Sequence, residues 1–167
     1  MAPRILCALL AAAFAFAGFG GTDVDFDFDR RYAGAAGALV LPQGDGDLRR
    51  RGGGALRAGY YFTDTVALDG EVAVLENTVG LAVRGLWHLQ GFEEFGRLFG
   101  YERFDPFVTA GARGWLADGE VGPSAGVGAL YYLTDSWALR FDADFTLGLE
   151  RRVETAHTLA VGVQYSF

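Results

Sequence analysis

The 167-residue sequence predicts an all-β fold, an eight-stranded antiparallel up-and-down barrel, and two observations carry that expectation. The first is composition. Aromatic residues make up 14% of the chain and glycines number 25, a mixture that weakens helices and suits the pleated surface of a sheet. The second is a hydrophobic period of two. From Ser136 to Glu150, Trp137, Leu139, Phe141, Ala143, Phe145, Leu147 and Leu149 alternate with Ala138, Arg140, Asp142, Asp144, Thr146, Gly148 and Glu150. Successive side chains on a strand point to opposite faces, so one face meets an apolar medium while the other carries charge.

In chain order, residues 1–17 come first: a basic start at Arg4, an apolar run from Ile5 to Phe16, and small residues at Ala15 and Ala17. That pattern predicts a cleaved secretory signal peptide, too short for the roughly 20 residues of a spanning helix. The only cysteine, Cys7, would leave with it. Residues 18–30 read as an acidic periplasmic leader, in which Asp23, Asp25, Asp27 and Asp29 alternate with apolar residues. Carboxylates suit hard cations, but the turn glycine and glutamate of a calcium loop are missing, so an extended solvated run is expected and no metal. Residues 31–167 form the barrel domain, with strands at roughly 31–41, 53–62, 65–76, 78–89, 106–117, 123–133, 136–149 and 155–167 by the same two-residue rule.

Turn chemistry falls between these strands, at Thr63-Asp64-Thr65, Glu76-Asn77-Thr78, Ala117-Asp118-Gly119-Glu120 and Thr134-Asp135-Ser136. Pro42, Pro106 and Pro123 are expected at strand ends, where a missing N–H breaks no ladder bond. Tyr60 to Leu68 is echoed by Tyr131 to Leu139, two hairpins of the same form that support a meander. The connection from Gln90 to Phe104 places Phe92, Phe95, Leu98 and Phe99 at helical spacing, the pattern of a short amphipathic turn at a membrane surface.

An alternating barrel faces either lipid or water, and the aromatics decide which. On the apolar parity, Tyr32, Tyr60, Phe62, Trp87, Tyr131, Trp137, Tyr165 and Phe167 gather at the end that holds the chain termini. That clustering is the interfacial girdle of a membrane barrel. The other parity, rich in Gly and Ala with scattered charge, suits the narrow interior of eight strands. The expectation is therefore a transmembrane β-barrel with charges inside. A soluble lipocalin-like ligand-binding barrel, its apolar face inward, is the alternative.

The C-terminal Gly162-Val163-Gln164-Tyr165-Ser166-Phe167 resembles the signal by which the outer-membrane assembly machinery recognises its clients. With Arg31-Tyr32-Ala33-Gly34, Asp105-Pro106-Phe107-Val108-Thr109-Ala110-Gly111-Ala112 and the eight-strand layout, the chain resembles the small bacterial outer-membrane β-barrel family that includes the transmembrane domain of outer membrane protein A. The resemblance covers nearly all of residues 31–167. It implies a place in the bacterial outer membrane of a Gram-negative cell, partnership with that membrane's lipid, recognition of Phe167 by the assembly machinery, and a monomer. Shorter loops away from the termini set the chain apart from members that carry long ones.

On the lumen parity, Arg57, Arg84, Arg113 and Arg140 face Asp69, Glu71, Asp142 and Asp144. Eight strands leave an interior just wide enough for side chains, so the four cations and four anions are expected to pair as a plug, structural or gating. The chain carries 14 basic residues against 21 acidic ones, which excludes the basic excess that nucleic acid requires. Lipid A-modifying barrels are the enzymatic alternative. Their base-nucleophile-orienter logic finds only His88 and His157 here, with no serine placed beside them, so no catalytic residue, cofactor or metal ligand is expected. Arg49, Arg50 and Arg51 in the first outer loop and Arg151 and Arg152 in the last lie on neighbouring loops of a closed meander. Arginine suits phosphate, which makes these residues a candidate contact for lipopolysaccharide. The function expected is membrane integrity, with narrow or no conductance.

Overall fold

A computed structural model describes residues 31–43, 51–89, 103–116, 119–148 and 155–167. The expected signal peptide and acidic leader, the residue 90–102 connection, and loop residues 44–50 and 149–154 lie outside the described residues. Eight strands follow one another in the order β1 Arg31–Gln43, β2 Arg51–Tyr61, β3 Val66–Leu75, β4 Thr78–His88, β5 Phe104–Trp115, β6 Glu120–Tyr132, β7 Trp137–Leu147 and β8 Thr155–Ser166. Each pairs antiparallel with its sequence neighbour, and β1 pairs with β8 from Tyr32↔Ser166 to Gln43↔Thr155, so the sheet closes on itself. This is the all-β up-and-down barrel that the period of two predicts.

Closure leaves no edge strand, and every strand finds a partner on both sides. The two hairpins of the internal repeat are shut by the same bonds. Phe62 N–H donates to the carbonyl of Val66 at 2.9 Å, and Leu133 N–H to that of Trp137 at 2.8 Å. In both turns a threonine hydroxyl accepts a backbone N–H, Val66 N–H on Thr63 Oγ1 and Trp137 N–H on Thr134 Oγ1, each at 3.0 Å. β3 and β4 meet through two residues, Glu76 and Asn77, with Leu75 opposite Thr78. Gly119, before β6, has φ of 67°, the left-handed region that a residue without Cβ enters freely.

The prolines correct the expectation. Pro106 is the third residue of β5 and Pro123 the fourth of β6, inside their strands rather than at the ends. Strands in a barrel are staggered, so a ladder can stop on one side of a strand and continue on the other. The β4–β5 pairing stops at His88↔Phe107, one residue from Pro106, which faces Ala129 on β6. Likewise the β6–β7 pairing begins at Ser124↔Thr146, one residue after Pro123. Pro42 lies past the last β1–β2 pair, Val40↔Arg51, yet opposite Ala156 of β8. Each proline lies one or two residues beyond the last pair of a ladder on one side of its strand, and at Pro106 the neighbouring Leu89 N–H still donates to the proline carbonyl at 2.8 Å.

The two faces sort by chemistry. Outward stand Leu56, Val74, Val127 and Val161, all more than half exposed, together with Phe141 and Phe145 on β7. Inward stand all eight charged residues of the expected lumen set. A soluble barrel would place these groups the other way round, so the lipocalin-like alternative is overturned. Seven of the eight girdle aromatics point outward near the termini, with Trp137 and Tyr165 centroids 4.9 Å apart and Tyr60 and Phe62 5.3 Å apart.

Tyr32 is the exception, at 1% exposure inside the barrel. Its strand reads Ala-Gly-Ala-Ala-Gly-Ala after Tyr32, so hydropathy does not fix which parity faces inward, and the ring goes where space exists. That space is Gly59, directly opposite on β2; a Cβ there would lie 2.1 Å from Tyr32 Cζ.

Candidate functional site: the charged lumen

Register alone brings the lumen charges to one height. Asp69 on β3 lies opposite Arg84 on β4, Arg57 on β2 opposite Glu71, and Asp142 and Asp144 follow Arg140 at two-residue steps up β7. The side chains then meet across the axis. Arg84 Nη2 donates to Asp69 Oδ2 at 2.8 Å and to Glu71 Oε2 at 3.1 Å, while its Nη1 contacts Asp144. Arg140 Nη2 donates to Asp69 Oδ2 at 2.7 Å and its Nε to Asp142 at 3.2 Å. Arg57 binds Glu71 through Nε at 2.7 Å and Asp142 through Nη1. Arg113 Nη2 reaches Glu71 Oε1 at 2.8 Å and Asp144 Oδ2 at 3.1 Å.

The geometry draws in residues that charge counting misses. Thr109 Oγ1 donates to Asp144 Oδ1 at 3.0 Å, and Arg140 Nη1 donates to Gln164 Oε1 at 3.2 Å. The gap beside Arg57 and Arg140, bounded by Gly34, Ala36, Gly162 and Gln164, is too narrow to admit a water molecule.

Apolar layers lie on both sides of the charges. Towards the loops, Ala38, Val40, Ala55, Ala73, Leu75 and Trp115 form one cluster. Towards the termini, Tyr32, Leu86, Phe107 and Leu130 form another, with Tyr61 and Tyr132 packed against it. Three inward rings each lie opposite a glycine on the next strand: Tyr32 on Gly59, Phe107 on Gly128 and Trp115 on Gly80. A Cβ at Gly128 or Gly80 would come within 2.3 Å of the ring it faces. Guanidinium groups stack on these layers, with Arg140 Cζ 5.1 Å from the Phe107 centroid and Arg113 Cζ 5.6 Å from that of Trp115. Parity was the available signal for Phe107 and Trp115, but not for Tyr32. Phe107 and Trp115 share the face of Arg113 on β5, whereas the Ala and Gly that follow Tyr32 on β1 mark neither face.

His88 is buried in the terminus-side layer. Its Nδ1 lies 2.6 Å from Asp105 Oδ2, and the ring is enclosed by Tyr61 and Phe107 at centroid distances of 5.2 and 5.4 Å. Tyr132 donates to the same carboxylate oxygen at 3.4 Å. Gln164 Nε2 donates to Tyr61 OH at 3.3 Å, joining this end to Arg140. His157 points outward against Phe145, 5.5 Å away. The candidate phosphate contacts Arg49, Arg50, Arg151 and Arg152 lie outside the described residues. Arg51 opens β2 opposite Val40.

No protein-family pattern and no curated protein sequence matches the chain. Among solved structures it is similar to a de novo designed transmembrane β-barrel, at 16% identity over 86% of this chain and 100% of that one, with a TM-score of 0.61. It is similar to Neisserial surface protein A at 14% identity over 82% of this chain and 97% of that one, TM-score 0.60. The outer membrane protein OprG from Pseudomonas aeruginosa matches at 11% identity over 87% and 99% of the two chains, TM-score 0.59. At such identities the likeness is one of fold, and the chain has the eight-stranded transmembrane β-barrel fold that small bacterial outer-membrane proteins and designed membrane barrels share.

Proposed function

We propose that the protein is an outer-membrane barrel that serves membrane integrity and carries no through-current, its lumen closed by the charge layer. The observation that supports this reading is the stacking of the interior: four arginines and four carboxylates interlocked at one height, with an apolar cluster above and another below. An ion crossing would have to break buried ion pairs and then pass rings packed on glycines. Planar-bilayer recording of the purified wild-type barrel tests it. A flat baseline is expected, and regular single-channel steps would refute a closed lumen.

The protein acts on this reading without catalysis. The one buried imidazole-carboxylate pair, His88 with Asp105, sits at 1% and 4% exposure beneath aromatic rings, where a substrate has no approach. Partners follow from the surfaces. Lipid covers the apolar outer face, the assembly machinery reads the strand that ends at Phe167, and the barrel is monomeric. Arg49 and Arg50 precede β2, which Arg51 opens, and Arg151 and Arg152 precede β8; β2 and β8 flank β1 on either side, which favours joint capture of a lipopolysaccharide phosphate. Unchanged lipopolysaccharide binding in the Arg49→Ala, Arg151→Ala variant would remove that partner.

A further inference from the structure

The ion pairs follow a rule that plugging a lumen does not require. Divide the barrel into its first four strands, β1–β4, and its last four, β5–β8. The first half supplies Arg57, Arg84, Asp69 and Glu71, and the second supplies Arg113, Arg140, Asp142 and Asp144. Each half is neutral within this set.

Every arginine then holds at least one carboxylate of its own half and at least one of the other. Arg57 binds Glu71 and Asp142, and Arg84 binds Asp69 and Glu71 on its own side and Asp144 on the other. Arg113 binds Asp144 and Glu71, and Arg140 binds Asp142 and Asp69. The fork of a guanidinium permits this, since its donors point in fixed, separate directions. The two halves also echo each other in sequence. Tyr60 to Leu68 matches Tyr131 to Leu139, and the next residue of each repeat, Asp69 in one and Arg140 in the other, is the partner of its counterpart across the lumen at 2.7 Å.

We propose that the charge layer is a closure clasp: within-half pairs form while the sheet is still open, and the cross-half pairs that reach β7, Arg57–Asp142, Arg84–Asp144 and Asp69–Arg140, form when β1 meets β8, selecting the closed register. The charge layer of an open sheet pre-paired in this way is neutral, so closure encloses no net charge within that layer and adds a further contact to Arg57, Arg84 and Arg140. A register slip would move these residues to other heights or to the other face, and the cross-half contacts would be lost. The proposal rests on the inward placement of these residues and stands whether or not the lumen conducts.

The test is a pair of double-mutant cycles on the full barrel domain refolded from urea into lipid vesicles. Strand formation is followed by circular dichroism, and closure by the appearance of the fast-migrating unboiled band. For the cross-half pair, Arg57→Met and Asp142→Asn should each slow closure by about tenfold, and the double variant by about as much as one single, because the contact they share forms in that step. For the within-half pair, Arg84→Met and Asp69→Asn, the effects on closure should multiply, because their contact predates it. Were both singles of the first pair to abolish the closed band and the double to restore it, the clasp would be supported equally. The proposal is overturned if the Arg57 and Asp142 effects multiply, if neither single slows closure, or if coupling appears only in the rate of unfolding.

Discussion

Arg84→Met is the sharpest perturbation of the lumen. The arginine side chain is fully buried and donates hydrogen bonds to three carboxylates, Asp69 at 2.8 Å, Glu71 at 3.1 Å and Asp144. Methionine fills a similar length without charge, so the loss is electrostatic rather than volumetric. Removing one partner of a buried ion pair costs about 3–5 kcal/mol, because a charge is left uncompensated. Here each carboxylate keeps a second arginine: Asp69 has Arg140 at 2.7 Å, Glu71 has Arg57 at 2.7 Å and Arg113 at 2.8 Å, and Asp144 has Arg113 at 3.1 Å. The cost should therefore fall at the low end, about 3 kcal/mol, and most of it should reflect the single surplus negative charge. Adding Asp144→Asn restores neutrality and should recover about half of the loss. The assay is reversible urea unfolding in vesicles, read by tryptophan fluorescence together with unboiled gel mobility. If the double variant is as unstable as the sum of the two singles, the surplus charge is not what destabilises Arg84→Met, and the account of the layer as a neutral unit fails.

Gly59→Ala should destabilise by about 1–3 kcal/mol, since the new methyl overpacks a filled core and lies 2.1 Å from Tyr32 Cζ, whereas Gly54→Ala meets only ordinary contact at 3.7 Å; equal stability of the two variants would contradict the ring-on-glycine packing. Phe141→Arg places a charge on the outer face beside the level of the lumen charges and should cost about 2–4 kcal/mol in vesicles, and a neutral result would mean that this face does not meet hydrocarbon. Arg140→Lys keeps the charge but offers one nitrogen where Asp69, Asp142 and Gln164 are now met by three; a loss of about 1–3 kcal/mol is expected from the orphaned acceptors, and wild-type stability would show that the fork is dispensable.

The period of two was the most legible signal in the sequence, and its clarity varied with strand composition. β7 alternates large apolar residues with charges, so both its existence and its orientation could be read directly. Every charged lumen residue inherited its face from such alternation. In β1 the residues after Tyr32 are nearly all Ala and Gly, and with no contrast between parities the one aromatic was placed on the wrong face. The prolines failed for a different reason. Whether Pro106 or Pro123 interrupts a ladder depends on the stagger of neighbouring strands, and stagger is a property of closure that no single segment encodes. The His88–Asp105 pair was hidden by distance in the chain: β4 and β5 are separated by the long 90–102 connection, so only the fold shows that the two residues meet.

The absence of lysine becomes intelligible at this point. All 14 basic residues are arginine, and in the lumen each of four must satisfy carboxylates that approach from opposite walls. An ammonium is a compact point charge on a flexible stem and holds one such partner well; a guanidinium carries five donors in a rigid plane. The narrow interior of eight strands adds a second constraint, because the charges have little room to keep water with them. A group that can bond several carboxylates at once, that stays charged, and that can also sit over the ring of Phe107 or Trp115 fits both demands. Glycine meets the complementary need on the wall, giving the aromatic layers room at Gly59, Gly80 and Gly128. The arginine and glycine bias of the composition is thus in large part a statement about the inside of the barrel.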